Sequence, residues 1–509
     1  MQNIKNIIGF LLISGVLLMN ASFAYATTTW AQTDWVGGSG QATWSDATMY
    51  NTAGGENIWD TTAGQIRMKI NAANVVGQAD FTHNSANRGG SVSASTLSGA
   101  SEAIIVGTKL IIVDTGNNRV LIYNTIPASD GVSADIVIGQ ADLTHAAANR
   151  GGAIASNTLS TPYGIYSDGT KLFIADSSNS RVLVYNTIPA TQEAAELGGD
   201  FVLGQADLTH GVANRGGAIA SNTLYIPEGV YSDGTKLFIT DSGNNRVLIY
   251  NTTPTTQEAA ELGANVVIGQ ENMTLGDINR GIYLPTDANM FYTPRKVYSD
   301  GTKLFVTDGG NSRVLVYNTI PTINDVSADI VIGQKEQLGH GAFYWCGANQ
   351  GTDQAEMGDC TFATPGSAAA DTLYQPFGIY SDGTKLFIAD DVNHRILVYN
   401  TIPTANTPSA DIVIGQADMV SGSWGISASG FSGYYKSVYA NSSKIIITDA
   451  NRVLLFDLST PHQSTLTSSA YDSGDPNTFW GPLTYNATTP ANTSVSFEVS
   501  TDGGTTWQT

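Results

Sequence analysis

Cysteine is almost absent from this 509-residue chain, which has only Cys346 and Cys360. Both lie in one insertion between repeated segments, and no histidine or cysteine pair stands beside them at the spacing of a metal site. Two neighbouring cysteines favour a local disulfide that staples a long loop if the chain reaches an oxidising compartment. We therefore expect a disulfide and no metal.

Positive charge is also scarce, with 23 Lys and Arg against 44 Asp and Glu and a net charge of −21. An acidic chain repels phosphate backbones, so nucleic acid is excluded as an expected partner. Only 13% of the residues are charged and 54 are glycine. This composition is typical of β proteins with many turns.

Long apolar runs are missing after the N terminus, so no membrane span is expected in the mature chain. The first residues, MQNIKNIIGFLLISGVLLMNASFAYA, carry a lysine, a short apolar run and then Ala24-Tyr25-Ala26. This pattern predicts a signal peptide over residues 1–26, with an uncleaved anchor as the alternative. We expect a protein that is secreted or displayed at the cell surface.

Motifs of known reactive sites are missing as well. The chain has no nucleophile elbow, phosphate loop or metal-ligand spacing, and no cofactor is predicted. What it has is a repeat, because GTKLFIADSSNSRVLVYN (169–186) recurs with few changes at 234–251, 301–318 and 383–400. The aligned lysines of six units are Lys109, Lys171, Lys236, Lys303, Lys385 and Lys444. Repetition at this period decides the fold before any single residue does.

Each unit has the pattern of four antiparallel strands, which is a blade of a β-propeller. The fourth strand carries a Gly-Gln signature whose glutamines are Gln78, Gln140, Gln205, Gln270, Gln334 and Gln416. The first copy precedes every three-strand core, and the last core has no copy after it. We predict six blades, closed by residues 74–78 pairing beside RVLLF (452–456), which removes two exposed sheet edges.

The repeat resembles the NHL repeat of β-propeller proteins, here of a bacterial secreted type. The second unit carries the motif as Pro162, Gly164, Asp168, Asp176, Asn179 and Arg181. The fourth unit has Lys296 in place of the glycine, and the first unit lacks both the proline and the glycine. The resemblance covers about residues 73–458 and implies a propeller whose relatives bind proteins, bind ligands or catalyse reactions.

The flanks suggest further segments. Residues 27–72 hold Trp30, Trp35, Trp44 and Trp59 among glycines, which suits a small β segment with a tryptophan core or, alternatively, carbohydrate stacking. Residues 459–509 resemble the beginning of a β-sandwich module. The chain is then either a fragment of a longer surface protein or loosely packed at this end.

Strand order places the loops from each outer strand to the next inner strand on one face, called here the long-loop face. This face carries His83, His145 and His210, for which zinc binding is the alternative to a structural residue copied by duplication. It also carries four Asn-Arg-Gly segments, at 87–89, 149–151, 214–216 and 279–281. For these we favour a lock of the loop over carboxylate binding.

The residue after the motif proline differs in every unit and is predicted to stand at the mouth of the central channel. By alignment these residues are Ser101, Tyr163, Glu228, Arg295, Phe377 and Lys436. They line an asymmetric binding site or reflect drift at tolerant positions. By contrast, Asp176 and Arg181 recur in most units, so we interpret this pair as structural.

The sequence favours a non-catalytic module that binds an extracellular protein, peptide or glycan. One alternative is a propeller enzyme, a lyase or metal-dependent hydrolase, with its site at the channel mouth. A second is a structural spacer of a larger envelope protein. The sequence does not indicate an oligomeric state.

Overall fold

The computed structural model describes residues 71–281, 287–334, 368–416, 418–434 and 436–457, together with the backbone of seven short strands outside these ranges. The chain divides into two compact units, Ala72–Ser459 and the terminal segments Met1–Asn71 with Thr460–Thr509. In the part of the chain that is described, no helix has the length and apolar character needed to cross a membrane.

The described strands of the terminal unit form one three-stranded sheet and two two-stranded antiparallel sheets. Its strands are Asn6–Phe10, Ala21–Phe23, Ala26–Trp30, Asn57–Asp60, Gln65–Met68, Leu466–Tyr471 and Val499–Ser500. Asn6–Phe10 pairs antiparallel with Leu466–Tyr471 on one side and Val499–Ser500 on the other. Cys346, Cys360 and the tryptophan side chains of residues 27–72 lie outside the described residues.

The unit Ala72–Ser459 consists of six four-stranded antiparallel sheets. In five of them the strands follow one another along the chain from the innermost to the outermost. The sixth sheet takes its outermost strand from the N-terminal end of the unit. The strands of blades 1 and 2 are Ala100–Val106, Lys109–Asp114, Arg119–Tyr123, Ile136–Ile138, Pro162–Ser167, Leu172–Asp176, Arg181–Tyr185 and Phe201–Leu203. Those of blades 3 and 4 are Pro227–Ser232, Leu237–Asp241, Arg246–Tyr250, Val266–Ile268, Pro294–Ser299, Leu304–Asp308, Arg313–Tyr317 and Ile330–Ile332. Those of blades 5 and 6 are Pro376–Ser381, Leu386–Asp390, Arg395–Tyr399, Ile412–Ile414, Val438–Ala440, Lys444–Asp449, Arg452–Asp457 and Asn74–Val76.

The ring closes as the sequence predicts. Asn74–Val76 is the outer strand of blade 6, and Val75 lies opposite Leu454 in the antiparallel register. Each inner strand contacts the inner strands of both neighbouring blades, and the inner strand of blade 6 contacts that of blade 1. The fold is therefore an all-β, six-bladed propeller, and the prediction of its closing strand is confirmed.

The hydrophobic core lies between successive blades. Side chains alternate between the two faces of each sheet, so Phe173 of blade 2 packs against blade 3, whereas its neighbour Ile174 packs against blade 1. Both side chains are fully buried. The repeated β-branched and aromatic residues thus hold the blades together by burying apolar surface.

Each blade is locked by the Asp–Arg pair of the repeat. In blade 2, Arg181 Nε donates to Asp176 Oδ2 at 2.8 Å, and neither side chain is exposed. The guanidinium also donates to the carbonyl oxygens of Leu208 and Thr158, which belong to the long loops on either side. The pair is a structural clamp, as we predicted from its recurrence.

Short helices and turns fill the loops. Among the described residues the α-helices are Gln192–Glu196 and Gln257–Glu261. The short 3-10 turns between second and third strands are Thr115–Asn117, Ser177–Asn179, Ser242–Asn244 and Gly309–Asn311. The four Asn-Arg-Gly segments form left-handed turns in Ala86–Gly89, Ala148–Gly151, Ala213–Gly216 and Ile278–Gly281. Arg150 bonds to Glu196 at 2.8 Å, and Arg88 donates to the carbonyl of Ser95 at 2.8 Å. These contacts confirm the predicted lock of the loops.

Candidate functional site at the channel mouth

Five of the six mouth positions predicted from the sequence are the second residue of an inner strand, and Lys436 lies two residues before the inner strand of blade 6. In blades 1, 2 and 3 the residue is an unpaired bulge, as for Tyr163, which is skipped between the paired residues Pro162 and Gly164. In blades 4 and 5 the interruption includes the next residue as well. A bulge turns a side chain away from the ordinary strand direction. The interruption recurs in five blades, so these side chains do not follow the regular alternation of the rest of the strand.

The chain reaches the mouth through a strained residue. The residue before the inner strand has a left-handed backbone in four blades, with φ near 50° at Thr161, Ile226, Thr293 and Gln375. Such angles are unusual for β-branched residues. At Thr161 the backbone N–H donates to Asn118 Oδ1 of the preceding blade at 2.7 Å, which fixes the bend.

Lys296 and Glu102 join opposite sides of the mouth. Both occupy the position at which the repeat has glycine, Glu102 in blade 1 and Lys296 in blade 4. Lys296 Nζ donates to Glu102 Oε2 at 2.8 Å and to the carbonyls of Tyr163 at 2.9 Å and Glu228 at 3.0 Å. Blades 1 and 4 face each other in a ring of six, so this ammonium group spans the channel. These three contacts match the three donors of an ammonium group.

A second ion pair lies beside the first. Arg295 Nη1 donates to both carboxylate oxygens of Glu228, at 2.7 and 2.9 Å. The Glu228 side chain is 5% exposed, whereas that of Arg295 is 27% exposed. Lys296 Nζ lies 5.2 Å and Arg295 Cζ 6.0 Å from the centroid of the Phe377 ring. The buried ring of Phe377 therefore supports both cations through cation–π contact.

The remaining predicted residues divide into two groups. Ser101 Oγ donates to the carbonyl of Tyr163 at 2.8 Å, and the Tyr163 ring lies 6.4 Å from the Phe377 ring. Both therefore belong to one group of residues, called here the mouth cluster: Ser101, Glu102, Tyr163, Glu228, Arg295, Lys296 and Phe377. Lys436 does not join it through its side chain, which is buried against blade 5. There Lys436 Nζ lies 3.2 Å from Asp391 Oδ1 and 3.4 Å from His394 Nδ1. The structure thus brings together five of the six predicted residues.

The Lys436 contact perturbs its neighbour. Burial, and then the charge of Lys436, lower the pKa of His394 below its ordinary value. His394 holds the left-handed position of a turn, with φ of 51°. In blades 1 to 4 that position carries asparagine or serine, and in blade 6 it carries Ala450. The residue aligned with Lys436 is not a lysine in any other blade. The junction of blades 5 and 6 is therefore chemically distinct from the others.

Sequence analysis missed Glu102 and Lys296 as members of the mouth cluster. A signal was present, because both replace the repeated glycine, and they do so three units apart with opposite charges. In blades 2, 3 and 5 the glycine is needed, since a Cβ on Gly164 would lie 2.4 Å from the carbonyl oxygen of Glu228 in the next blade. Replacing that glycine is tolerable only where the neighbouring strand leaves room.

The three histidines of the long loops lie apart from the mouth cluster and are exposed. His83, His145 and His210 each bond through Nδ1 to an aspartate three residues earlier, at 2.7 Å. Hydrogen bonds from Thr82 and His83 lower the pKa of Asp80 to about 2. Within the described ranges no group of three or more His, Cys, Asp or Glu side chains could hold a metal ion.

Comparison with known proteins yields structural likeness only. No family model matches the chain, and no curated protein matches it. Among solved structures, it is similar to virginiamycin B lyase from Staphylococcus aureus, with 10% identity, a TM-score of 0.35 and coverage of 72% of this chain and 97% of that one.

Two further structures are similar to the same degree. An auxiliary nutrient binding protein from Bacteroides thetaiotaomicron has 10% identity, a TM-score of 0.36 and coverage of 71% of this chain and 70% of that one. A putative 6-phosphogluconolactonase from Bacteroides uniformis has 10% identity, a TM-score of 0.34 and coverage of 87% and 95%. The roles of these neighbours differ, and no activity of this chain follows from them.

Proposed function

We propose that this chain is an extracellular, non-catalytic interaction module of the NHL-repeat type, secreted or displayed at the bacterial cell surface. It recognises a protein, peptide or glycan through the long-loop face, with the channel mouth as its centre of specificity. The observation that carries the proposal is the mouth cluster, in which equivalent positions of a repeated blade present different side chains to one place.

The charges at the mouth favour binding over catalysis. Glu102 and Glu228 each have a cation within 3.0 Å, and Lys296 is in addition bonded to two carbonyls. A general base or nucleophile acts from a state in which its charge or proton is poised for transfer. Carboxylates and an ammonium group that are already paired in this way instead fix the geometry of a binding surface.

Arg295 is the residue that a polar partner would meet first. Its side chain keeps more exposure than the Glu228 and Lys296 side chains beside it. A guanidinium recognises carboxylates through a planar set of donors, and the rings of Tyr163 and Phe377 add apolar surface beside it. A carboxylate of a peptide or an acidic sugar fits this chemistry.

The test compares two ion pairs in the full chain. The mouth variant is Glu228→Ala with Arg295→Ala, and the matched control is Glu196→Ala with Arg150→Ala, which removes an arginine–glutamate pair from the periphery. Ligands are sought on a glycan array and in a peptide display library. We expect the mouth variant to lose binding about tenfold or more, because a buried charge-assisted contact is worth about 1.5–3 kcal/mol, while the control binds as wild type does.

Equal binding by the mouth variant and the control would place recognition elsewhere and overturn the assignment. Failure of the wild-type chain to bind any array or library member would favour the structural spacer. Circular dichroism and thermal unfolding of both variants separate a lost contact from a lost fold.

A further inference from the structure

Five tyrosines line the central channel at the end opposite the mouth. They stand on the inner strands of blades 2 to 6, three residues after the mouth positions, and each is half-buried. In order around the ring they are Tyr166, Tyr231, Tyr298, Tyr380 and Tyr439, with neighbouring ring centroids 4.7–5.3 Å apart. Ile104 holds the equivalent register in blade 1. Five of the six blades thus bring an aromatic ring to one level of the channel.

The faces of these rings are turned toward the channel axis. Tyr298 Oη donates to the carbonyl of Ser381 in the next blade at 2.6 Å, and Tyr231 donates to Tyr298 in the same direction. The side chains therefore lie along the circle of blades. Consecutive rings are inclined to each other by 45–61°, close to the turn of about 60° between neighbours in a ring of six blades. Ring planes that lie along the circle and turn with it show their faces to the axis.

The spacing of the rings leaves room on the axis. In a regular ring of six, the distance from the axis to each member equals the distance between neighbours, here about 5 Å. A group on the axis would therefore lie within the distance of about 6 Å at which an aromatic face attracts a cation. Each ring occupies half of a carbon–carbon contact, about 1.8 Å, so a space of about 3 Å radius remains. This is the size of a methylated ammonium group.

The hydroxyl groups of these tyrosines bond to protein groups. Besides the two bonds at Tyr298, Ser232 bonds to the hydroxyl of Tyr166 and Asn441 bonds to that of Tyr439. A cation with N–H groups would give up its hydrogen bonds to water for ring faces that replace them poorly, whereas a methylated ammonium group has no N–H to satisfy. The lining therefore favours a quaternary ammonium group over a primary one.

Aspartates surround this end of the channel. Two residues after the tyrosines of blades 2 to 5, the turns to the second strands carry Asp168, Asp233, Asp300 and Asp382. Burial, opposed by a hydrogen bond from Tyr231 and assisted by the charges of Asp300 and Asp382, raises the pKa of Tyr298, so these carboxylates act on the rings. The lysine of each turn bonds instead to an asparagine after the third strand, as Lys236 does to Asn251 at 3.0 Å. The charges beside the rings thus favour a cation.

We propose that the end of the channel lined by these five tyrosines binds a small quaternary ammonium ion, which the four aspartates attract. The ring faces supply the contact, and the aspartates supply the sign of the charge. The inference goes beyond the function proposed above, because it concerns a second ligand at the opposite end of the channel. The two sites share no residue, so either can fail without the other.

The test titrates the full chain by calorimetry with tetramethylammonium chloride. Neopentyl alcohol serves as a neutral molecule of nearly the same shape, and ammonium chloride as a cation with N–H groups. We expect one tetramethylammonium ion per chain with a Kd on the order of 1 mM, and at least about tenfold weaker binding of the other two.

Two substitutions of one tyrosine separate the ring from its hydroxyl. Tyr298→Leu should weaken tetramethylammonium binding about fivefold or more, whereas Tyr298→Phe, which keeps the ring face, should stay within about twofold of wild type. The matched control is Tyr317→Leu, which removes a buried tyrosine from the third strand of the same blade. Circular dichroism and thermal unfolding verify that each variant is folded. If Tyr298→Leu does not fold, Tyr439→Leu takes its place.

Four results would overturn the proposal. They are no saturable binding of tetramethylammonium up to about 20 mM, equal binding of neopentyl alcohol, equal binding of ammonium, and unchanged affinity in the tyrosine-to-leucine variant. Weaker binding in the mouth variant, Glu228→Ala with Arg295→Ala, together with unchanged affinity in Tyr298→Leu, would assign the cation to the mouth instead.

Discussion

The two ends of the central channel are built by the same six inner strands but in opposite ways. At the end away from the long loops, five strands present a tyrosine and one an isoleucine. These residues are Ile104, Tyr166, Tyr231, Tyr298, Tyr380 and Tyr439. At the mouth, equivalent positions carry different residues that join in ion pairs. The repeated tyrosines hold the blades together at one end of the channel, and the residues that differ between blades form a distinct site at the other end.

In the described part of the chain, the contacts of these tyrosines join neighbouring blades. Consecutive ring centroids from Tyr166 to Tyr439 are 4.7–5.3 Å apart, within the range of favourable aromatic pairs. Tyr298 Oη also donates to the carbonyl of Ser381 in the next blade at 2.6 Å. The mouth instead joins blades across the axis, through Lys296 and Glu102. Removing a contact at the mouth should therefore lower the free energy of unfolding more than removing one of the contacts between these tyrosines, called here the tyrosine arc.

The largest expected effect is that of Lys296→Met. The change leaves the Glu102 carboxylate without its cation and removes the donors to two carbonyls. Breaking a buried ion pair from one side costs about 3–5 kcal/mol. We expect about 3 kcal/mol, since Glu102 keeps 19% side-chain exposure. Denaturant unfolding measures the loss in free energy of unfolding.

The matched control for that change is Lys303→Met, which removes a lysine bonded to the neutral side chain of Asn318. Its cost should stay below about 0.5 kcal/mol, the range of ordinary surface changes. Adding Glu102→Gln to Lys296→Met should recover about 1 kcal/mol, because the unpaired charge is gone. A loss from Lys296→Met no larger than that of the control would show that the contact across the channel contributes nothing to stability.

The next effect concerns the tyrosine end at alkaline pH. Burial, and then the charges of Asp168 and Asp233, raise the pKa of Tyr166 to about 12 from its usual value near 10. Below pH 10 both the folded and the unfolded chain keep the proton. Between about pH 10 and pH 12 the unfolded chain loses it first, so stability falls as pH rises.

Removing the ionisable group tests that sign. Tyr166→Phe should lose stability less steeply than wild type between about pH 10 and pH 12, with the difference measured as the slope of the free energy of unfolding against pH. The pKa values of Tyr231 and Tyr298 are also raised, chiefly by burial, so part of the slope remains in the variant. Identical slopes in the two proteins would mean that Tyr166 ionises alike in the folded and unfolded chains.

Much of the architecture could be predicted because repetition makes it redundant in the sequence. The Gly-Gln signature occurs before the first core and is missing after the last, and this offset alone predicted that residues 74–78 close the ring. The Asp–Arg clamp was predicted by the same reasoning, since a pair that occurs in most blades belongs to the fold. Local patterns of this kind need no knowledge of distances across the ring.

The mouth could be predicted only in part because its contacts join residues far apart in the sequence. Alignment located the six positions but not the direction of their side chains, so Lys436 was grouped with a cluster that its side chain does not reach. Lys296 pairs with Glu102 because blades 1 and 4 lie opposite each other in a ring of six blades. Only a blade count combined with the glycine position predicts it.

The smallest effect is that of completing the tyrosine arc with Ile104→Tyr. Ile104 lies opposite Ile111 in the register that places Tyr166 opposite Phe173, and blade 1 stands between Tyr439 and Tyr166 in the ring. A sixth ring there would add aromatic pairs worth about 0.5–1.5 kcal/mol each, less the strain of a larger side chain. We expect a gain of about 0.5 kcal/mol in the free energy of unfolding, measured by denaturant titration beside Ile104→Val as the control. A lower free energy of unfolding would instead mean that blade 1 has no room for the ring. Packing, and not random sequence change, would then explain why the tyrosine arc is interrupted at Ile104, and the tyrosine end would be asymmetric as the mouth is.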